Sequence, residues 1–198
     1  MTLASDQLHG RLGRRFTIAG TSPYESVDWE QRDARLIDHR DGSVAFEQLG
    51  VEFPSDWSVT ASNIVTQKYF RGSDATGGRE HSLRQVIDRV VGAICEWGVR
   101  DGYFADAEEA ASFADELRFL LVRQYVSFNS PVWFNIGVPD VAQQASACFI
   151  LDVEDDLRSI LNWYAEEGMI FKGGSGAGAN LSKIRSSKEQ LSGGGTPS

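Results

Sequence analysis

Cys148 is the residue of this chain whose type and setting could do chemistry. It lies within the apolar stretch 145–151, shortly before a run of acidic residues. Its thiol could act as a nucleophile or as a redox group, whereas a metal site would need more ligands than three scattered histidines supply. Judged by residue type alone, a cysteine on an apolar strand is more often a packing residue. The choice between packing and chemistry therefore depends on its neighbours.

Polar groups that could bind a nucleotide lie on both sides of Cys148. Before it, Ser130 precedes Pro131, and this pair favours an extended turn that exposes the hydroxyl, although a purely structural turn is the alternative. After it, residues 172–180 are rich in glycine, so an anion can approach their amides closely. These glycines fit neither a phosphate-binding loop nor a dinucleotide fingerprint, because the required lysine and the required strand-to-helix context are missing. The order of these groups suggests a nucleotide site that contains a thiol.

The elements predicted around Cys148 are a strand, a helix and a glycine-rich loop. In a strand over 145–151 every second side chain shares the face of Cys148. The acidic residues that follow precede apolar residues at helical spacing. Asp155 or Asp156 is therefore predicted to cap a helix that ends near Gly168.

The N-terminal part of the chain predicts a mainly helical region. A small hairpin is expected at the Asp-Gly turn of residues 41 and 42, followed by a short helix. Capping patterns that begin at Ser82 and Asp106 predict two longer helices that pack together, and Cys95 on the first of them is expected to be a packing residue. The predicted parts of the chain are a flexible arm, this helical region and a third region that contains Cys148: residues 1–26, 27–125 and 126–198.

The composition excludes several classes of protein. The net charge of −9 opposes a broad, sequence-independent grip on nucleic acid. No run approaches the roughly 18 apolar residues of a membrane span, and the N terminus lacks the apolar core of a secretory signal. With only two cysteines, we expect a cytoplasmic protein that has reduced thiols and no resident metal ion.

Several segments, in order and spacing, resemble the N-terminal part of an adenosylcobalamin-dependent, class II ribonucleotide reductase. The segments that carry the resemblance are residues 127–135, 145–151, 167–169, 174–176, 180–187 and 192–195. The similarity covers about residues 69–198 and extends more weakly back to about Val27. The resemblance implies an α/β fold, in which a mainly helical N-terminal region leads into the opening strands and helix of an incomplete ten-stranded α/β barrel.

The resemblance also implies a reaction for Cys148. In that family the ribose 2′-hydroxyl is replaced by hydrogen: a thiyl radical removes the 3′ hydrogen, and a second pair of cysteines donates two electrons and closes to a disulfide. Cys148 corresponds to the first member of that reducing pair. The positions that line the family's substrate site correspond to Ser130, Ala147, Cys148 and Gly176.

A second implied site holds a deoxynucleoside triphosphate effector at a dimer interface, where it selects the base to be reduced. The corresponding residues of this chain are Asp155, Asp156, Leu157 and Arg185. Arg185 would meet phosphate and Asp155 the ribose, in keeping with their charges. Related class I reductases carry a further arginine where this chain has Ser192, so either Lys188 supplies the missing charge or the grip is weaker.

Members of this family are several times longer than this chain, which is therefore expected to be inactive alone and to associate through an uncovered barrel edge. The implied cofactor is adenosylcobalamin, with most contacts outside the chain. The implied partners are a ribonucleotide substrate, the effector, the remainder of the reductase, a second copy in a homodimer and a thioredoxin-type reductant. The alternative is a deoxynucleotide-binding regulatory or assembly module that performs no chemistry.

Overall fold

The computed structural model describes residues 12–73, 78–191 and 193–196. These residues form an α/β structure with five α-helices and two separate two-stranded sheets. The chain divides into two compact units, one from residues 1–128 and 133–143 and the other from residues 129–132 and 144–198. The α/β class is confirmed. Of the predicted barrel, the described residues show one pair of parallel strands.

An antiparallel hairpin opens the first unit. Its strands are β1 (Trp29–Ile37) and β2 (Val44–Pro54), which are longer than the two short strands predicted. Gly42 takes a positive φ of 76° at the turn and donates its amide to the Asp38 carbonyl at 2.8 Å, so the predicted Asp-Gly turn is confirmed. Helix α1 (Val59–Lys68) follows the hairpin, as expected.

Two longer helices, α2 (Leu83–Arg100) and α3 (Ala107–Val122), follow in the first unit. The predicted capping box of α2 is present, with Ser82 and Gln85 reciprocally bonded, and Asp106 caps α3 by accepting the amide of Glu109 at 2.8 Å. The two helices pack together as predicted. The core of the unit includes side chains from α2 and from β2, which are fully buried: Val51, Phe53, Leu83, Val86, Ile87, Val90 and Val91.

The described residues of the predicted flexible arm are anchored to α3. Glu116 accepts hydrogen bonds from the amides of Phe16 and Thr17, at 3.0 and 2.8 Å, and from the Thr17 hydroxyl at 2.6 Å. Burial opposes ionisation of this carboxyl, but these donors outweigh burial and hold the pKa of Glu116 below its ordinary value. The arm prediction is therefore corrected for residues 12–26, and its residues 1–11 lie outside the described part of the chain.

The second unit contains a strand, a helix and a second strand that is parallel to the first. These are β3 (Cys148–Asp152), α5 (Leu157–Lys172) and β4 (Gly176–Asn180). The helix extends past Gly168, where we predicted its end, because that glycine lies on the exposed side and breaks no packing. The predicted glycine-rich loop is partly wrong, because residues 176–180 form a strand. Residues 176–180 become a strand because their backbone pairs with β3, and this pairing needs no particular side chain.

A short helix, α4 (Ser130–Asn135), precedes these elements. We predicted an extended turn at Ser130, and this prediction is wrong. Proline is tolerated in the first turn of a helix, where an amide has no intrahelical acceptor, and Pro131 occupies such a position. Within the described ranges, no helix has both the length and the apolarity needed to cross a membrane.

Candidate functional site

Cys148 lies at the start of β3, directly opposite Gly176 in the parallel register. Its side chain is exposed. The amide of Gly176 donates to the carbonyl of Ala147 at 2.7 Å, which fixes the two strands at this point. Three of the residues predicted to line the substrate site, Ala147, Cys148 and Gly176, therefore lie side by side.

The missing side chain of Gly176 leaves open space beside the thiol. A Cβ atom built on Gly176 would have one atom within 4 Å, the carbonyl oxygen of Ala147 at 3.7 Å. That is an ordinary van der Waals distance, so packing among the described residues does not require glycine here. A ligand that lies against the backbone next to Cys148 would require it.

The two faces of the strand pair differ in exposure. Cys148 and Ile150 point to one face, where Ile150 is 88% exposed, whereas Phe149 and Leu151 on the other face are half-buried. On the exposed face, Ile150 pairs with Gly178, just as Cys148 pairs with Gly176. The thiol thus lies on an uncovered, partly apolar surface whose second strand has no side chains to block approach.

A buried serine holds the beginnings of the two strands together. The Ser175 hydroxyl donates to the carbonyl of Ser146 at 2.7 Å and accepts from the side-chain amide of Gln144. Ser175 is 7% exposed, and these contacts fix the backbone immediately before Cys148 and Gly176. Sequence reasoning missed Gln144 and Ser175, since a serine within a glycine-rich run carries no local signal of a partner 29 residues away.

The predicted effector residues lie at the other end of the strand pair. Asp156 caps α5, where its carboxylate accepts the amide of Ser159 at 3.0 Å, and this confirms one of the two predicted caps. Arg185 donates from Nε to the Asp155 carboxylate at 2.6 Å and from Nη2 to its carbonyl at 3.3 Å. The structure thus brings Asp155 and Arg185 together as an ion pair that is partly exposed.

Lys183 forms a second charge cluster, which sequence reasoning did not assign. Its ammonium group donates to the carboxylates of Asp152, at 2.6 Å, and Glu154. This contact lowers the pKa of Asp152 and raises the pKa of Lys183. The sequence shows acidic residues at the end of β3 and basic residues after β4. It predicts their clustering only when the two strands are known to be parallel neighbours.

The remaining predicted site residues lie at the starts of helices or on the surface. Ser130 is the first residue of α4, Leu157 is the first residue of α5 and is largely exposed, and Lys188 is exposed and donates its amide to the Ser186 hydroxyl at 3.2 Å. Ser192 lies outside the described residues. Among the residues that are described, no three His, Cys, Asp or Glu side chains are grouped so that they could hold a metal ion.

Two family models match this chain. Residues 31–124 match the model described as class II vitamin B12-dependent ribonucleotide reductase. Residues 146–198, which contain β3, α5 and β4, match the model described as the barrel domain of ribonucleotide reductase. Together the two ranges cover most of the chain.

Curated relatives agree with these matches. A vitamin B12-dependent ribonucleotide reductase of Streptomyces coelicolor is 58% identical over 188 residues, which cover 95% of this chain and 19% of the relative. The protein of the same name from Rhodopirellula baltica is 40% identical and is matched over 90% of this chain and 20% of its own length. The large subunit of an African swine fever virus ribonucleoside-diphosphate reductase is 38% identical over 76 residues, which are 38% of this chain and 10% of the subunit. The chain thus spans about a fifth of the B12-dependent relatives, and it belongs to the class II, vitamin B12-dependent ribonucleotide reductase family.

Proposed function

We propose that this chain supplies the N-terminal region and the opening barrel strands of an enzyme that reduces ribonucleoside diphosphates or triphosphates to deoxyribonucleotides. The observation that carries the proposal is the exposed thiol of Cys148 opposite Gly176, within the range that matches the reductase barrel. Ser130, Ala147 and Gly176 are proposed to line the same substrate site. The alternative, a binding module without chemistry, would give no reason for an exposed thiol beside an open glycine.

Cys148 is proposed to be one of two thiols that supply the reducing electrons. Overall, a ribonucleotide and two thiols give a deoxyribonucleotide, water and one disulfide. The C2′–O bond breaks, its oxygen leaves as water, and the two thiols lose two electrons as an S–S bond forms. The chain's other cysteine, Cys95, lies half-buried on α2, where burial raises the pKa of its thiol. We therefore propose that the second thiol comes from the remainder of the reductase, and that a thioredoxin-type dithiol reduces the disulfide afterwards.

Adenosylcobalamin, on which the family depends, supplies the radical chemistry when it is bound. The described residues do not fit it. Clefts among the described residues have volumes of about 300 to 570 Å³, in the range of small-ligand pockets, whereas adenosylcobalamin is a much larger molecule. No residue of this chain is therefore assigned to holding the cofactor.

A deoxynucleoside triphosphate effector is proposed to bind at Asp155, Asp156, Leu157 and Arg185, with Lys188 as a further cation. Arg185 presents a fork of donors that suits phosphate, and its present partner, Asp155, is only partly buried and can be displaced by a more highly charged anion. Substituting Arg185→Lys should weaken binding of a deoxynucleoside triphosphate about tenfold in calorimetry, because the bidentate geometry is lost. The control is Arg100→Lys, which alters an exposed arginine in the first unit and should leave the affinity unchanged. Equal affinity of Arg185→Lys and the unsubstituted chain would contradict this assignment.

A second copy of the chain is proposed to pack on α5. Leu157, Leu161, Tyr164, Gly168 and Phe171, here called the α5 seam, are spaced alternately four and three residues apart, which is the spacing of a coiled-coil contact. The four large side chains of the seam are between 54% and 72% exposed. Apolar side chains at this spacing are normally covered by another helix, and the first of them, Leu157, is also a proposed effector residue.

The experiment that tests the function combines the chain with the remainder of a class II reductase, adenosylcobalamin and a dithiol. We predict that ribonucleotide reduction appears, that Cys148→Ser abolishes it, and that Cys95→Ser, which removes the other thiol, leaves it unchanged. Binding of an effector without any reduction would favour the module without chemistry. Full reduction by Cys148→Ser would refute the role of this thiol.

A further inference from the structure

Helix α4 cannot owe its stability to its own sequence. It has six residues, and isolated helices shorter than about 12 residues are marginal in water. The last carbonyl groups of any helix also lack intrahelical donors, so a helix this short needs partners for most of its carbonyls. Something outside α4 must therefore hold it, together with Ser130 at its start.

Two arginines bind the carbonyl end of α4. Arg89 of α2 donates from Nη1 to the carbonyl of Ile136 at 2.7 Å and from Nη2 to the carbonyl of Trp133 at 3.3 Å. Arg71 donates from Nε to the carbonyl of Phe134 at 2.8 Å, and its guanidinium lies 5.2 Å from the centre of the Phe134 ring. The end of a helix that carries partial negative charge thus faces two positive charges.

Glu80 holds the two arginines in place. Its carboxylate accepts from Nε of Arg89 at 2.8 Å and from the backbone amide of Arg71 at 2.8 Å. The side chains of Arg89 and Glu80 are only 10% and 13% exposed, so the ion pair is largely shielded from water. Removal of either partner would leave an unpaired charge in a nearly buried place, which strongly destabilises a fold.

The backbone of α2 also closes on this end of α4. Gly137 has a φ of 71°, and a Cβ atom built on it would lie 2.5 Å from the carbonyl oxygen of Arg89. Only glycine permits both this conformation and this approach. Arg89 thus contacts the end of α4 through its side chain and its backbone.

We propose that Arg89 and Arg71 are positioning residues for the reductase reaction: by capping α4 they fold it and thereby hold Ser130, its first residue, in the helical conformation. The expected effect on substrate binding rests on the proposed function, whereas the capping of α4 does not depend on it. Neither arginine is assigned a contact with the substrate. A chain in which the cap is weakened should keep α2 and α3 and lose the helical conformation of α4.

The first test measures hydrogen exchange along the full 198-residue chain. Arg89→Lys keeps the charge but cannot donate to three carbonyls, including that of Tyr69, and a carboxylate in this geometry, so amides of residues 132–138 should exchange about tenfold or more faster. The matched control is Arg84→Lys on the same helix, whose guanidinium stacks on Trp29 and contacts Glu52 instead of α4. Arg71→Lys provides a second variant, at a position outside α2, for the case in which Arg89→Lys does not retain the fold.

Faster exchange confined to α4 in the Arg89 or Arg71 variant, with α2 and α3 unchanged, is the expected result. Unchanged exchange of α4 in both variants, or an equal loss over α2, α3 and α4, overturns the proposal. In the reconstituted reductase, the same variants should raise the KM for ribonucleotide about tenfold and leave kcat within about twofold, because Ser130 is misplaced while the thiols are not. An unchanged KM overturns the positioning role. If the unsubstituted mixture shows no reduction, the proposed function fails, and the exchange measurement still decides the capping.

Discussion

At the residue scale, the two cysteines of the chain differ in their exposure. Cys95 is half-buried on α2, as its place beside an apolar stripe predicted. Cys148 is exposed, although it belongs to an apolar strand that residue statistics would place in a core. Exposure and the facing glycine are properties of the strand pair, so the sequence could suggest a role for Cys148 only through the family resemblance.

The substitution Gly176→Ala tests the proposed substrate site at this scale. In Gly176→Ala the added methyl group meets one atom at an ordinary distance, so the free energy of unfolding should change by no more than about 1 kcal/mol. The methyl group would occupy the space beside the thiol, and the KM for ribonucleotide in the reconstituted enzyme should rise about tenfold.

The matched control for this substitution is Gly178→Ala. Gly178 lies on the same face of the same strand, opposite Ile150, and a Cβ there would have one neighbour, at 4.0 Å. Gly178 is about 7 Å farther along the strand from the thiol, so the KM of the Gly178→Ala enzyme should match that of the unsubstituted enzyme. Equal effects of the two substitutions on KM would show that Gly176 does not line the substrate site.

At the scale of elements, helices were easier to predict than strands. Apolar residues at helical spacing and the capping residues Ser82, Asp106 and Asp156 marked α2, α3 and α5, because these signals are local. Strand β4 was missed because Gly-Ala-Gly-Ala-Asn has neither branched nor aromatic side chains, and its conformation comes from pairing with a strand 28 residues earlier. Short helix α4 was missed for a similar reason, since its caps are arginines distant in sequence.

The α5 seam gives a test at the element scale. The chain is expected to self-associate through the exposed seam, and Leu161→Glu should shift it to the monomer in sedimentation, because a charge would have to be buried in the contact. The control is Asn162→Glu, which places the same charge on an exposed position of the same helix away from the seam. A chain that is already monomeric, or equal association of both variants, would count against the seam as the dimer contact.

At the scale of the whole molecule, the chain spans about a fifth of its B12-dependent relatives. Strands β3 and β4, in the range that matches the reductase barrel domain, and the segments that follow them carry the thiol, the glycine and the charged residues of the proposed effector site. The proposed reaction consumes two thiols, so Cys148 needs a partner thiol, which we propose comes from the remainder of the reductase. The fate of the Cys148 sulfur during one turnover therefore decides whether the proposed reaction is right.

The most direct measurement is a single turnover without any external reductant. The chain, the remainder of the reductase and adenosylcobalamin are mixed with ribonucleotide, and both the deoxyribonucleotide and the cysteine-containing peptides are quantified by mass spectrometry. We predict one deoxyribonucleotide per active site, with Cys148 recovered in a disulfide in equal amount and Cys95 recovered as a free thiol. Product formed while Cys148 remains a free thiol would contradict this prediction.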